Sequence, residues 1–508
     1  MTKYEEGCHS SCKTLGVLLE GWPIESSLAG IPVRGLSLDS RRIGPGEVFV
    51  ALAGQQAHGL RYANEAIRRG CAAVLHDADD CGDELISGLT GAPLIALPAL
   101  EKHLGRLADR CYDSPSQDLT VVAVTGTNGK TSCSHYIAQA LSHTGSAGVI
   151  GTLGWGIPPQ LTPTTQTTPA IPETHRILDA LRRAGCRTVA MEASSHGLHQ
   201  RRLDGVRITG ALYTNLTRDH LDYHGDMEAY LEAKLALLEA PGLEFVVFDA
   251  NSPFAEPVLA RSQGKLKTLA YSRHPVSGNA LHPHLLLAST PVQDEQGLAF
   301  GVQFGGETAA IRVALPGDFN LQNTLATLGV LLALGHSLAE AAVALSRVRP
   351  VAGRMECYQG KSRNVVVDYA HTPDALGNVL NSVRPLCEGQ LWLVFGCGGN
   401  RDQGKRPEMG AIAVRLADHV ILTDDNPRTE DGNAIIEAIL AGCGTAAPEK
   451  IRNRQAAIHY ALEQMRPGDW LLVAGKGHEA EQEINGTRIP CSDRLIVSDW
   501  LRENDHEP

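Results

Sequence analysis

No apolar run in this 508-residue chain is long enough to span a bilayer. The stretch 328–334 is closed by Gly335 and His336, far short of the roughly 20 residues a helix needs to cross one. The N-terminus carries Lys3, Glu5 and Glu6 with no apolar h-region, so neither a secretory signal nor membrane insertion is expected, and the chain reads as cytoplasmic. Cys-x-x-Cys pairs are missing too. The 12 cysteines, scattered from Cys8 to Cys491, suit reduced buried thiols better than disulfides or structural zinc. Cys8, His9 and Cys12 form the only local cluster, in a polar segment that disfavours a metal site. No basic run offsets the net charge of −12, which argues against a nucleic-acid face. Internal repeats, low-complexity tracts and heptads are also absent, so solenoid and coiled-coil readings fall away.

What is present is a chain too long for one core. Two polar, proline-containing breaks, 113–118 and 349–353, divide it into expected domains 1–115, 116–350 and 351–508. In the middle domain, β-rich runs at 119–124, 188–191, 208–213 and 243–248 alternate with helix-like segments at 172–184 and 226–240. The last domain repeats the alternation, with strands predicted at 364–367, 391–395, 419–422 and 470–473. That pattern is an α/β fold: a small α/β N-terminal domain, a central P-loop ATPase-like domain with a mostly parallel sheet, and a Rossmann-like C-terminal domain. In the first domain only 36–40 and 46–53 read as strands. Gly396, Gly398 and Gly399 follow a strand, but their spacing is wrong for a dinucleotide fingerprint.

The strongest chemical signal is residues 125–132, Thr-Gly-Thr-Asn-Gly-Lys-Thr-Ser, between a strand and a helix. Backbone N–H groups freed by Gly126 and Gly129 can face phosphate oxygens, Lys130 can set a point charge on them, and the Thr131 hydroxyl can reach magnesium. The usual four-residue gap would put glycine at 124, where Val124 stands; this shortened loop weakens a generic ATPase or GTPase reading.

Further candidates follow other strands. Glu192, then Ser194, Ser195 and His196, end one strand at the edge where open α/β sheets bind ligands, so the carboxylate suits a metal facing a nucleotide. His220 and His224, four apart, could chelate zinc on a helix, but Gly225, Asp219 and Asp222 favour a loop equally well. Lys234 reads by itself as a solvated helical lysine.

Taken together, Thr125 to Thr131, Met191-Glu192-Ala193-Ser194-Ser195-His196-Gly197, the segment from Asn215 to Gly225, Gly317-Asp318-Phe319-Asn320-Leu321-Gln322-Asn323, Asp368-Tyr369-Ala370-His371-Thr372-Pro373 and Asp425-Asn426-Pro427-Arg428 closely resemble the motifs of the Mur ligases, in order from about residue 36 to the C-terminus. The resemblance implies an ATP-dependent amide ligase of peptidoglycan synthesis, monomeric, that adds meso-diaminopimelate to the D-glutamyl γ-carboxylate of a UDP-N-acetylmuramoyl dipeptide through an acyl phosphate. ATP would lie on Gly126, Thr127, Asn128, Gly129, Lys130, Thr131 and Ser132, its adenine on Asn323, with Asp368 and His371 bordering ribose and phosphates. Mg2+ would be held by Thr131, Glu192, His220 and an N-carbamylated Lys234. Lys130, Lys234, His220 and Arg354 would be catalytic, Arg354 approaching the γ-phosphate on domain closure.

By the same resemblance, Leu38, Ser40, Gln55, Gln56 and Ala57 would hold the uridine diphosphate. Gln166, Thr167, Thr168, Ser194, Gln200 and Arg202 would hold the muramoyl dipeptide, with Gln166 standing where the subfamily commonly has asparagine. Diaminopimelate differs from lysine by a distal carboxylate, which calls for a fixed cationic fork. Arg428, in the turn Asp425, Asn426, Pro427, Arg428, would supply it, and Arg401, Gly475 and Glu479 would grip the distal amino-acid centre. A lysine- or glutamate-adding relative, a P-loop regulator hydrolysing ATP without ligation, and a silent binding module are the rival readings. The intact set Lys130, Thr131, Glu192, His220 and Lys234 disfavours the last.

Overall fold

The computed structural model describes residues 13–54, 57–79, 83–143, 145–262, 264–274, 284–294, 296–360 and 363–504. Cys8, His9, Cys12, Gln55 and Gln56 lie outside them. The described chain packs as two compact units. One holds the residues up to Val124, Leu141–Ala211 and Ala233–Phe245, and the other holds Thr125–Ala140, Leu212–Glu232 and the residues from Val246 onward.

In the first unit, strands Gly35–Ser37, Glu47–Ala51, Ala73–Asp77 and Leu94–Leu97 pair in parallel in chain order. Helix Leu100–Cys111 covers them, because Leu100, Leu104, Leu107, Ala108 and Cys111 recur at helical spacing and bury one face against Leu36, Val48, Val50 and Leu75. A second set of strands runs Gln160–Thr162, Gly154–Ile157, Ser146–Gly151, Cys186–Glu192, Thr120–Thr125, parallel among the last three and antiparallel in the hairpin at the edge. The expected strands 119–124 and 188–191 lie within one or two residues of those found. Ser146–Gly151 escaped the sequence reading because Ser, Ala and two glycines dilute its β pattern.

In the second unit, strand Phe245–Asp249 leads to Lys267–Ser272, which pairs in parallel with Leu285–Ala288; Gly297–Phe304 then pairs antiparallel with Leu285–Ala288, Val292–Asp294 and Glu307–Val313. Helix Phe319–Ala333 is buried over nearly its whole length, which explains the apolar run at 328–334. A six-stranded sheet follows in the order Glu356–Gln359, Asn364–Asp368, Trp470–Ala474, Leu391–Phe395, His419–Leu422, Glu449–Lys450, antiparallel only at its first pair.

Both faces of that sheet are covered, so its strands are continuously apolar rather than alternating. Val366, Leu393, Phe395, Leu422 and Leu472 pack against Leu376, Leu380, Met409 and Ile435 on one side. Val365, Val367, Val394, Ile421 and Val473 pack against Ile458, Leu462, Val497 and Trp500 on the other. Strand Trp470–Ala474 inserts between Asn364–Asp368 and Leu391–Phe395, which makes a topological switch point. Asp368, Gly396, Asp425 and Gly475 stand at or just beyond the carboxyl ends of these parallel strands, where such sheets bind ligands.

Among the described residues no helix is long and apolar enough to cross a membrane, and no disulfide joins the described cysteines.

Candidate active site

The phosphate-type loop is built from below. Strand Thr120–Thr125 runs into Gly126 at φ 142° and Gly129 at φ 86°, backbone conformations that side chains resist. Space demands glycine as well: a Cβ on Gly126 would strike the Thr214 hydroxyl, and one on Gly129 would lie 2.6 Å from Asn323 Oδ1. Thr127 N–H donates to Asn215 O (2.8 Å), Asn128 N–H to Asn215 Oδ1 (2.9 Å), and Thr214 Oγ1 to Asn128 O (2.6 Å). The Lys130 ammonium donates to the Gly126 and Thr127 carbonyls, both at 2.8 Å, and so lies across the loop. Lys130 opens helix Lys130–Leu141, with Thr131 and Ser132 buried in its first turn. A helix N-terminus that follows a glycine turn is an anion cradle.

Asn323 sits under this loop. Its amide donates to Asn320 Oδ1 at 3.2 Å and accepts from the Cys133 thiol at 3.6 Å. Arg354 also belongs to this part of the unit. Its Nη2 donates to Thr131 Oγ1 at 3.2 Å, and the guanidinium lies over the Tyr369 ring at 4.3 Å. The next residue's N–H donates to Asp368 Oδ2 at 2.7 Å. Burial pushes the Asp368 carboxyl up, against the pull of Arg354. His371 is held by the Tyr369 carbonyl at Nδ1 (2.8 Å).

His220 is the left-handed residue (φ 55°) preceding the short helix Leu221–His224, so His220 and His224 do not share a continuous helix as the zinc reading requires. Asp219, beside it, reads from sequence only as a loop former. This buried carboxylate lies 3.3 Å from His220 Nε2, 3.7 Å from His371 Nε2 and 3.5 Å from Lys405 Nζ. Burial would raise its pKa, but the His371 hydrogen bond and the charges of Lys405 and His220 prevail and hold it well below the ordinary value. The only sequence cue was an acid next to the candidate histidine.

The expected amino-acid site lies at the carboxyl edge of the six-stranded sheet. Arg428 adopts φ 53°, donates from Nη1 to Gly399 O (2.7 Å), and lies 3.7 Å from Glu483. Backbone bonds on both sides, Arg428 N–H to Glu483 O (2.9 Å) and Asn485 N–H to Arg428 O (2.7 Å), fix its position. Asn426 Nδ2 donates to Glu479 Oε2 at 2.8 Å. Burial tends to raise the Glu479 pKa, but Lys476 and Asn426 hold it below the ordinary carboxylate range. Pro427 O packs on Gly399, and Gly475 leaves room for Asp425, whose Oδ2 would lie 2.6 Å from a Cβ there. Arg401 is exposed, one residue beyond Asn400. Lys476 was not singled out by sequence.

In the first unit a second cluster forms. Thr168 Oγ1 donates to Glu192 O (2.8 Å) and contacts Ser194 Oγ (3.1 Å), Ser194 caps helix Ser195–His199 through Gly197 N–H (3.0 Å), and Arg202 Nη1 donates to Thr168 O (2.8 Å). Gln200 Oε1 accepts from Arg202 Nε at 3.0 Å. The Glu192 carboxylate is buried, with Thr152 N–H at 2.9 Å and Thr152 Oγ1 at 3.1 Å. Thr152 in turn meets Thr167 Oγ1 at 3.1 Å. Thr152 escaped notice because its strand did. Thr167, Thr168, Ser194, Gln200 and Arg202 are thus joined by hydrogen bonds, while Gln166 is exposed. Leu38 is exposed, Ser40 is buried with its hydroxyl on Glu65 Oε2 (2.7 Å), and Ala57 O accepts from Gly54 N–H (3.1 Å).

Lys234, in helix Met227–Leu235, is only 1 % exposed, so the solvated-lysine reading fails. Glu192 is equally buried. Taken singly, the Glu192 carboxylate and the Thr131 hydroxyl are hard oxygen donors of the kind magnesium takes, and Lys234 would be one if it carried a carboxylate-like oxygen. Thr131 and His220 belong to the second unit, Glu192 and Lys234 to the first. Among the described residues no group of three or more His, Cys, Asp or Glu gathers to hold a metal.

A shortened phosphate loop tied to Asn215, and a glycine-lined switch point in a second α/β sheet, suit an enzyme that works on a nucleotide and a second ligand. Family models for the Mur ligase family catalytic domain, the Mur ligase middle domain and the Mur ligase glutamate ligase domain match residues 32–112, 124–331 and 353–477. The chain belongs to the Mur ligase family. It is 44% identical over 500 residues to the UDP-N-acetylmuramoyl-L-alanyl-D-glutamate–2,6-diaminopimelate ligase of Alkalilimnicola ehrlichii, covering 97% of this chain and 99% of that one. It is 45% identical over 478 residues to the Chromobacterium violaceum protein of the same name, covering 93% and 95%. A solved structure of a ligase of that name matches with a TM-score of 0.65 and 34% identity, over 96% of this chain and 99% of that one.

Proposed function

We propose that this chain joins meso-diaminopimelate to the D-glutamyl γ-carboxylate of UDP-N-acetylmuramoyl-L-alanyl-D-glutamate, with ATP, in peptidoglycan synthesis. The observation that carries the amino-acid assignment is Arg428, a guanidinium fixed by backbone pairing on both sides at the ligand edge of a switch-point sheet. A fixed fork is what separates diaminopimelate from lysine.

The γ-carboxylate attacks the ATP γ-phosphorus, ADP leaves, and an acyl phosphate forms. The diaminopimelate amine then attacks the acyl carbon, and phosphate departs from the tetrahedral adduct. Lys130 and the loop amides take up charge on the transferring phosphoryl group, and Arg354 adds a second cation beside Thr131. Asn323 and Asp368 with His371 flank the nucleotide. Thr168, Ser194, Gln200 and Arg202 orient the dipeptide, and Leu38, Ser40 and Ala57, with Gln55 and Gln56, receive the uridine diphosphate. Thr131, Glu192, His220 and a carbamylated Lys234 would hold Mg2+, which when bound neutralises phosphate charge. We read the domains as 1–115, 116–350 and 351–508.

Phosphate release measured with UDP-N-acetylmuramoyl dipeptide, ATP and each candidate amino acid tests this, with the product weighed by mass spectrometry. Tripeptide carrying diaminopimelate is expected. Preference for lysine, or phosphate release without the UDP-sugar, overturns it.

A further inference from the structure

Lys476 has no role in the chemistry described above, yet its side chain is fully buried. Its ammonium has three donors and meets three acceptors: Glu479 Oε2 at 2.8 Å, Glu481 O at 2.6 Å and Asn426 Oδ1 at 3.3 Å. A lysine this deep in a sheet edge persists only where its charge is paired and every N–H is used.

Two of those acceptors belong to side chains assigned to the amino-acid substrate. Asn426 Oδ1 takes a second bond from the Glu483 N–H at 3.0 Å. With two donors on its oxygen, the amide has one orientation, and its NH2 must face the other way, toward Glu479 at 2.8 Å. The same ammonium faces the Glu479 carboxylate, which it keeps ionised. One buried cation therefore sets an NH2 donor suited to a carboxylate and an anion suited to an ammonium, side by side. Those are the two groups of an amino-acid centre.

We infer that Lys476 is a positioning residue for amino-acid selection: it locks the Asn426 amide and the Glu479 carboxylate into the pair that reads the distal α-amino-acid centre of the incoming diamino acid. This rests on the functional reading given above. Lysine, which lacks the distal carboxylate, gains nothing from the Asn426 donor, so the pair discriminates only while both members keep their orientation. The adjoining strand end reinforces the arrangement, because Gln482 Nε2 donates to Asp425 O at 2.6 Å and holds the turn that carries Asn426.

The test compares wild type with Lys476→Met, which keeps the stem and removes the charge, and with Lys476→Arg. Initial rates are taken with ATP, UDP-N-acetylmuramoyl dipeptide, and either meso-diaminopimelate or L-lysine. The expected result for K476M is a rise of about tenfold to a hundredfold in KM for diaminopimelate. The KM values for ATP and the UDP-sugar should stay within about twofold, and the preference for diaminopimelate over lysine should shrink. In the background of Glu479→Gln, K476M should add little further, since the lysine acts through that carboxylate. Lys476→Arg should recover part of the loss.

A folded K476M with wild-type KM for diaminopimelate overturns the inference, as does an equal rise for all three substrates. If K476M does not fold, Lys476→Gln is measured instead; if neither folds, the lysine is a fold element only and the inference fails. Absence of diaminopimelate turnover in the wild type would instead condemn the functional reading itself, a different outcome from any of these.

Discussion

Arg354 Nη2 lies 3.2 Å from Thr131 Oγ1, so the strap that opens the last sheet reaches the hydroxyl behind the phosphate loop. The strap is held in place from the other side. Gly353 adopts φ 63° and has no room for a Cβ against His478 and Gly477, and its N–H donates to Glu356 Oε2 at 2.7 Å. Asn128 Nδ2 adds a second link across the same boundary, to Asp374 Oδ2 at 3.0 Å. The loop therefore meets a cation supplied from a distance of over 200 residues in sequence, which suits a charge needed only while phosphate is transferring.

Replacing Arg354 by alanine should lower kcat by roughly a hundredfold or more, with KM for ATP changed only a few-fold, because the guanidinium acts on charge that develops during transfer. ADP release under saturating substrates measures it. A large KM change with kcat intact would mean Arg354 serves ground-state binding instead.

Arg428→Lys keeps the charge and removes the planar fork. KM for diaminopimelate should rise by about one to two orders of magnitude, while turnover with lysine as acceptor should hardly change, so selectivity collapses from one side. Parallel rates with both amino acids decide it. Equal losses with the two would show that Arg428 supports the fold of the turn rather than recognition.

Much of the parallel α/β scaffold was legible because doubly covered strands such as 391–395 and 470–474 are unbroken apolar runs bounded by glycine and polar turns. The phosphate loop was legible because Gly126, Gly129 and Lys130 are each required by a different physical constraint in a row. Asp219, Thr152 and Lys476 were not. Each has at least one partner remote in sequence that the chain order does not reveal: Lys405 for Asp219, Glu192 for Thr152, Asn426 for Lys476. Lys234 misled for the same reason, since nothing in a helical lysine's neighbours along the chain reports that the fold will bury it. The strand Ser146–Gly151 was hidden by its glycines, and the edge hairpins by their shortness.

His135, on the helix behind the loop, gives a pH signature. Burial, aided by the Arg354 charge, lowers its pKa from 6.5 to about 4. Between those values the unfolded chain takes up a proton that the folded chain refuses, so this group's stability contribution is complete above about pH 6.5 and is lost as pH falls toward 4. The full loss is on the order of 3 kcal/mol. His135→Gln should flatten the stability profile across pH 4–6.5 and leave its slope above pH 7 unchanged. Urea unfolding at pH 4.5, 5.5 and 7.5 reads this directly; an unaltered acid slope would show that His135 protonates in the folded state at its ordinary value.

Arg454 and Asp493 make a fully buried pair, bonded at 2.7 Å through Nε and 2.8 Å through Nη2. The guanidinium also reaches Ala474 O at 2.9 Å and Asp424 O at 3.4 Å, the backbone just before Gly475 and Asp425. It therefore does two separable things: it neutralises Asp493, and it ties together the two strand ends that carry the amino-acid site. Arg454→Met should cost roughly 3–5 kcal/mol in urea unfolding, because Asp493 is left buried without a counter-charge. Adding Asp493→Leu removes that orphan and should restore most of the stability, since apolar replacements of a buried pair are often neutral. The backbone ties stay broken in the double variant, so its KM for diaminopimelate should remain raised while its stability recovers. If stability and KM recover together, the guanidinium does no more than balance Asp493, and the strand ends hold their positions without it.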